Sequence, residues 1–584
     1  MGNPAFARTL RSASGRLRVS VALSASLFAA CAAASCGGSS PGTPGGTGGS
    51  PTGAGSSTSG GGTGTHSGSG GDIGLGGGAP AGPFADFPEE PIVDTTAGGT
   101  PVPANIATLF GAPDPGDPGG GPCLIEPEPG TLFPNNWLRP RFSLAPVGGQ
   151  NVFEIRIHAK NEINDLVVYT GSPSWKMPKD MWQGLTTHLE DVPMTVTIRG
   201  ATLANGALTD KPSLGTSGDI RIAPASAAGA IVYWRTNTVD NSGELKGFSP
   251  GDESVASVLK SNQVQTKLKD TKVSCIGCHA STPDGKYAAF KTVGNTQGDA
   301  LGSVQASDTG AAPAYWSMAS VDAMGAGEMG VPAFSKAHWK DGDRTMVTSY
   351  GNGDQAKLAW FNLEANASAQ GAAFDFLDRT GDPRGAIMPT WSHDGKTIVY
   401  TSTSGSGDGR PTSSPTDLFV VPFADRKGGA ATPLPGAADP AFSEYYPALS
   451  SDDKLVAFNR IQAGQDTYNQ SQTEVFVIPT GGGTATRLVA NDPIACSTSK
   501  SPGLTNSWPK WAPEAVTVGD STYYWLTFSS KRGTAAPQLY MTAVVVKGGQ
   551  ITTYPALYLW NQPGDEANHT PAWDVFQIPQ PPPQ

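Results

Sequence analysis

From residue 123 onward, apolar and polar positions alternate over short runs separated by turn residues. The runs 151–158, 165–170, 194–199 and 219–222 keep a period of two, which predicts strands with one face on a core and the other toward water. Beyond residue 226 this texture becomes a repeat. Residues 281–290 read Ser-Thr-Pro-Asp-Gly-Lys-Tyr-Ala-Ala-Phe, 392–400 read Ser-His-Asp-Gly-Lys-Thr-Ile-Val-Tyr, and 450–458 read Ser-Ser-Asp-Asp-Lys-Leu-Val-Ala-Phe, with a looser copy over 339–347. The aligned Asp284, Asp341, Asp394 and Asp452 fall roughly 55 residues apart. Each unit predicts a strand, a tight Asp-Gly turn and a second strand. Third strands are expected over 358–363, 418–423, 475–478 and 539–546. A fifth unit opens at Trp508-Pro509-Lys510-Trp511 and continues over 523–528. Near the C-terminus Pro571-Ala572-Trp573 repeats the opening Pro389-Thr390-Trp391 and then stops, while an unopened unit waits at 230–234 and 245–249. The last strand is therefore expected to complete the first unit and close a ring, leaving no exposed sheet edge.

The predicted fold class is all-β: a β-sandwich over 122–225, a six-bladed β-propeller over 226–576 and a Pro-rich tail over 577–584. The opening 127–134, Pro-Glu-Pro-Gly-Thr-Leu-Phe-Pro, resembles a fibronectin type III or immunoglobulin-like module in texture, without the antibody Cys-Trp-Cys spacing. The Ser-Pro-Asp-Gly-Lys-like repeats resemble the propeller of the TolB family and its relatives over about residues 226–576. That resemblance implies a propeller fold; the N-terminal module is not the one that family pairs with its propeller.

Composition changes the picture mainly at the N-terminus. Gly (75) and Pro (50) are abundant and charged residues make up only 15%, a turn-rich makeup with little helix beyond one short candidate over 105–110. Arg8, Arg11, Arg16 and Arg18 precede an apolar run, 19–30, too short to span a bilayer and suited to an export signal. The small residues and cysteines that follow resemble a lipoprotein signal, with Cys36 the expected lipidated residue, Cys31 the alternative, and ordinary cleavage without lipid a third possibility. Residues 1–36 are thus read as a lipoprotein signal peptide, and 37–121, rich in Gly, Ser, Thr and Pro, as a disordered tether. The chain is expected to be exported to the periplasm or cell surface and held at a membrane by its lipid. A net charge of −11 argues against nucleic acid as a partner.

One motif carries chemistry. Cys275-Ile276-Gly277-Cys278-His279 is C-x-x-C-H, which reads as attachment of haem c: two thiols add to the porphyrin edge and the adjacent imidazole ligates iron. The chain is similar to exported propeller proteins in which such a motif precedes a Ser-x-Asp-Gly repeat. His569 is the first candidate for a sixth ligand and Met388 the second. A Cys275–Cys278 disulfide, a redox C-x-x-C and a zinc site are the competing readings, the last lacking a second Cys/His pair at zinc spacing. Of six cysteines, parity leaves Cys123 and Cys496 to form a disulfide between sandwich and propeller. The other histidines (His66, His158, His188, His338, His393) and the repeated turn aspartates read as structural. Tyr445, Tyr446, Trp508 and Trp316 read as packing between blades or as channel lining. No phosphate-binding loop, H-E-x-x-H or nucleophile elbow is present, so an electron carrier or a protein- or glycan-binding scaffold with an unidentified partner is expected before a hydrolase.

Overall fold

The computed structural model describes residues 82–580, apart from short internal stretches at 96–97, 113–116, 237–242, 266–272, 274, 294–297, 326–328, 352, 405–415 and 468. The expected export signal, with Cys31 and Cys36, and the expected tether up to residue 81 lie outside the described residues.

Two sheets make up the N-terminal part. One runs in the order Ile92–Asp94, Leu166–Thr170, Val152–Ala159, Met194–Ala201, Ser213–Ile222 and Asp117–Pro118, with Leu132–Phe133 also paired to Ser213–Ile222. The other holds Cys123–Glu126, Arg141–Ala145 and Ser174–Lys176. Met194–Ala201 shows why these segments become strands: Met194, Val196 and Ile198 are buried while Thr195 and Thr197 between them are half-buried. The helix Lys179–His188 turns Trp182 and Leu185 into the same core.

The expected tether does not extend to residue 121. Ile92–Asp94 pairs in parallel with Leu166–Thr170, Ile106–Phe110 is helical with Ile106 and Phe110 buried, and Asp117–Pro118 pairs with Ser213–Ile222. Gly/Pro-rich sequence is added here to an existing sheet through backbone hydrogen bonds, which ask little of its side chains.

Among the described residues, six further sheets follow one another. Ala256–Lys260, Gly243–Phe248 and Ala230–Thr236 form the first, and the C-terminal strand Ala567–Asp574 adds to it as the innermost member. The second is Cys275–Ser281, Tyr287–Val293 and Gly298–Ser303. The third is Thr345–Tyr350, Lys357–Asn362 and Phe374–Phe376, with inner bridges Met329–Tyr350 and Ala333–Val347. The fourth, fifth and sixth begin with the inner strands Gly385–Trp391, Phe442–Leu449 and Ser507–Trp511. This succession is a β-propeller, and pairing of the last strand with the first sheet closes it.

The repeated turns explain themselves. Asp284, Asp394 and Asp452 each accept the backbone N–H two residues on and a hydroxyl two residues back. Gly285 and Gly395 supply the left-handed conformation (φ 72° and 78°), and a Cβ on Gly285 would lie 1.9 Å from the Val575 carbonyl oxygen. The looser third copy is different: the helix Lys336–Lys340 leads into its turn, and Asp343 rather than Asp341 accepts from Thr345 and His338.

Candidate functional site

Each inner strand crosses the same level with a matching tripeptide. In sheet order these are Thr570-Pro571-Ala572, Cys278-His279-Ala280, Val331-Pro332-Ala333, Met388-Pro389-Thr390, Tyr446-Pro447-Ala448 and Trp508-Pro509-Lys510. Pairing with the next strand slips by a residue here in five sheets, between Ile276 and His279, Ile387 and Thr390, Tyr445 and Ala448, Ser507 and Lys510, and opposite Val232 and Trp234. A proline has no N–H to give the ladder, so a bulge is the economical solution. Met388, Tyr446, Trp508 and Thr570 take left-handed φ of 45–61°. Such values are rare for bulky side chains.

The bulges bring their side chains together. Cys278, Met388, Tyr446 and Trp508 share one buried cluster with Val331 packed against it, and Tyr446 stacks on Trp508 with ring centroids 3.9 Å apart. A cavity of about 30 Å³ lies between Cys278, His279, Met388, Trp508, Lys510 and Thr570. Below it, a second cavity of about 130 Å³ is lined from all six sheets, by Ala280, Ala333, Thr390, Ala448, Lys510 and Asp574 among others. The two cavities form a channel, and Lys510 borders both.

His279 is 5% exposed. Its Nε2 lies 3.1 Å from the Val232 carbonyl oxygen and its Nδ1 3.2 Å from that of Gly277. Burial, with Lys510 adding to it, lowers its pKa to about 4 against the pull of the two carbonyls, so the ring is neutral at neutral pH and donates from one nitrogen only. His569 packs edge-on against Trp234 at 4.5 Å; burial, Lys531 and His279 lower its pKa to about 3. It does not line the cavity that His279 borders, whereas Met388 does. Met388 thus shares a cavity with His279, while His569 lies near enough to feel the charge of His279 but does not line that cavity. The backbone of Cys275 starts the inner strand, while its side chain lies outside the described residues. Cys278 is buried and engaged in a disulfide. Cys123 and Cys496 are joined by a disulfide, their Cα atoms 6.1 Å apart.

As folded, these residues do not fit haem. The donor types suit it, but the His279 nitrogen that would face iron lies against a backbone carbonyl, the Cys278 sulfur is committed, and drug-sized ligands already need about 300–1,000 Å³. Among the described residues no three His, Cys, Asp or Glu side chains gather as a metal-holding group.

Lys510 escaped the reading of the sequence. Burial lowers its pKa, with Asp574 raising it; burial raises that of Asp574, with Val575 N–H, Lys336, His393 and Lys510 lowering it. The signal was present in the repeat: after the proline, the matching strands carry Thr390, Ala448 and Ala572, and only here a long cation.

No family model matches the chain, and no curated protein matches it. Among solved structures it is similar to a protein described as TolB from Agrobacterium tumefaciens (14% identity, 59% of this chain and 98% of that one, TM-score 0.29). It is also similar to hydrazine synthase from Kuenenia stuttgartiensis (12% identity, 47% and 65%, TM-score 0.27) and to an ancestral GH74 enzyme (12% identity, 58% and 40%, TM-score 0.34). The chain therefore spans under two thirds of the last two. Likenesses this slight say nothing of function; the succession of sheets places the protein in the β-propeller class.

Proposed function

We propose that this is an exported, non-catalytic binding scaffold, tethered to a membrane through a lipid on Cys36. In this reading an N-terminal β-sandwich supports a six-bladed propeller whose central channel, at its His279 end and below, is the recognition site for a protein or glycan partner. The observation that carries it is the channel itself: a polar cavity reached from all six sheets, with a lysine in a layer of small residues. Cys278, already in a disulfide, serves there as a cross-link.

A second reading is favoured by the C-x-x-C-H sequence. Covalent haem c, bound through Cys275 and Cys278 with His279 as ligand, would supply one-electron transfer. His279 would then have to leave the Val232 carbonyl and the inner strand would have to open. An absorption spectrum with pyridine haemochrome analysis separates the two. The protein is exported in a host with haem-attachment machinery, beside a Cys275→Ala/Cys278→Ala control. A colourless product, alongside a control cytochrome that is competently matured, is expected. A covalent haem spectrum lost in the double variant would replace the scaffold reading with the redox one.

A further inference from the structure

We propose that the channel holds a small organic carboxylate, with Lys510 as its counter-ion. This deepens the reading of the channel as the recognition site and rests on it: the carboxylate is the group of the partner that enters the channel. The layer that follows the bulge lines the cavity with Ala280, Ala333, Thr390 and Ala448, all small, and with Lys510 as its one long member. The small neighbours leave room beside the lysine, and Lys510 borders the cavity above this layer as well as the one below.

Charge in the larger cavity is unbalanced. Lys336, Lys510 and the single carboxylate Asp574 line it, together with His393, which is turned to Asp453 at 2.8 Å. Lys336 Nζ donates to the Pro513 carbonyl at 3.2 Å, and Asp574 Oδ1 accepts the Val575 N–H at 2.8 Å. Among the described residues no hydrogen bond or ion pair engages Lys510 Nζ; Asp574 acts on it only from beyond ion-pair distance. Lys510 is half-buried, a cation held partly out of water without a partner is costly, and a monoanion entering this cavity both pairs Lys510 and cancels the excess charge.

The cavity also limits the anion's size and kind. About 130 Å³ is close to the space that takes a benzene-sized molecule, so the group that enters has only a few heavy atoms. Trp391, Trp511 and Trp573 form part of the wall, each with its indole N–H donated to a backbone carbonyl. They offer carbon surface rather than donors. The Thr390 and Ser451 hydroxyls line the remainder. A short carboxylate with a carbon body matches this wall better than a compact inorganic anion does.

The test is isothermal titration of the full mature chain with lactate and with its neutral counterpart lactamide. Lactate is expected to bind with a millimolar dissociation constant, and lactamide at least about tenfold more weakly. Lys510→Met, which keeps the length and removes the charge, should lose lactate binding by a similar factor; Lys510→Arg should keep it within a few-fold. Equal affinity for lactate and lactamide, no binding of either, or unchanged lactate binding by Lys510→Met would overturn the proposal. If Lys510→Met does not fold, the lactate–lactamide comparison on the wild type decides alone. The haem spectrum is read separately: a colourless protein that ignores lactate defeats the anion site and leaves the scaffold, while a haem protein that binds lactate does the reverse.

Discussion

Asp452 closes a repeat turn with four donors around its carboxylate: the Ser450 hydroxyl, the Tyr524 hydroxyl, and the Lys454 ammonium and backbone N–H. Burial pushes its pKa up, but those donors outweigh burial and hold it below the ordinary carboxylate value. A depressed folded pKa contributes stability that is complete above the unfolded value near 4 and disappears as pH falls through the folded value. Asp452→Asn is therefore expected to cost about 1–2 kcal/mol at neutral pH and close to nothing at about pH 2. Urea midpoints at the two pH values check this; a gap that persists in acid would mean the amide fails for steric reasons. Asp299 has the opposite sign. It is wholly buried beside Lys291 and Thr348, and burial raises its pKa despite both neighbours. The stability it contributes is present in acid and is lost as pH rises above the ordinary carboxylate range. Asp299→Asn, a neutral mimic of the protonated acid, should raise the melting temperature above pH 7, with the gain shrinking toward pH 4. A variant less stable than the wild type at every pH would show that the carboxylate is needed in its charged form.

The inner strand is the element on which fold and site meet. Four of these strands place a bulky residue at left-handed φ just before a proline. Thr570 is the least comfortable of them, being β-branched at φ 45° with a buried hydroxyl oxygen that finds no partner among the described residues. That conformation costs an L-residue about 1–2 kcal/mol and glycine almost nothing. Thr570→Gly should therefore leave stability unchanged or raise it by up to about 1 kcal/mol; a loss well beyond that in chemical denaturation would mean the threonine's packing outweighs its strain. The same elements show what a sequence can and cannot reveal. The turns of the second, fourth and fifth sheets were legible because Asp-Gly or Asp-Asp chemistry is local, and the closing role of Ala567–Asp574 because its opening lacked a continuation. The third sheet was blurred by the helix Lys336–Lys340, which leads into the turn where the other copies have strand, and the carboxylate that accepts there is Asp343. Ile92–Asp94 was missed because its partner, Leu166–Thr170, lies far along the chain and pairs in parallel with it. Lys510 was in plain view in the repeat, yet its meaning depends on four small residues of other sheets that only closure of the ring brings to the same cavity.

At the scale of the whole molecule, the N-terminal sheets and the propeller are not separate bodies on a string. One apolar core contains Phe133, Trp137 and Ile155 from the first part and Tyr233, Trp525 and Met541 from the second. Trp137 and Trp573 lie 5.7 Å apart, and Trp560 Nε1 donates to the Arg139 carbonyl. Arg139 also pairs with Glu253 at 2.8 Å. The Cys123–Cys496 disulfide spans 373 residues of sequence across the same two parts. A core shared in this way makes opening of either part expose apolar surface on the other, so unfolding is expected to be one cooperative event. Calorimetry of the full chain should show a single transition whose van't Hoff and calorimetric enthalpies agree. Cys123→Ser/Cys496→Ser should lower its midpoint, with a loss of about 2–4 kcal/mol from the freed unfolded chain, and should not divide it. Division into two transitions in the variant alone would assign the coupling to the disulfide. Division in the wild type would mean that the aromatic contacts between the parts are too weak to couple them, and that the N-terminal sheets fold without the ring.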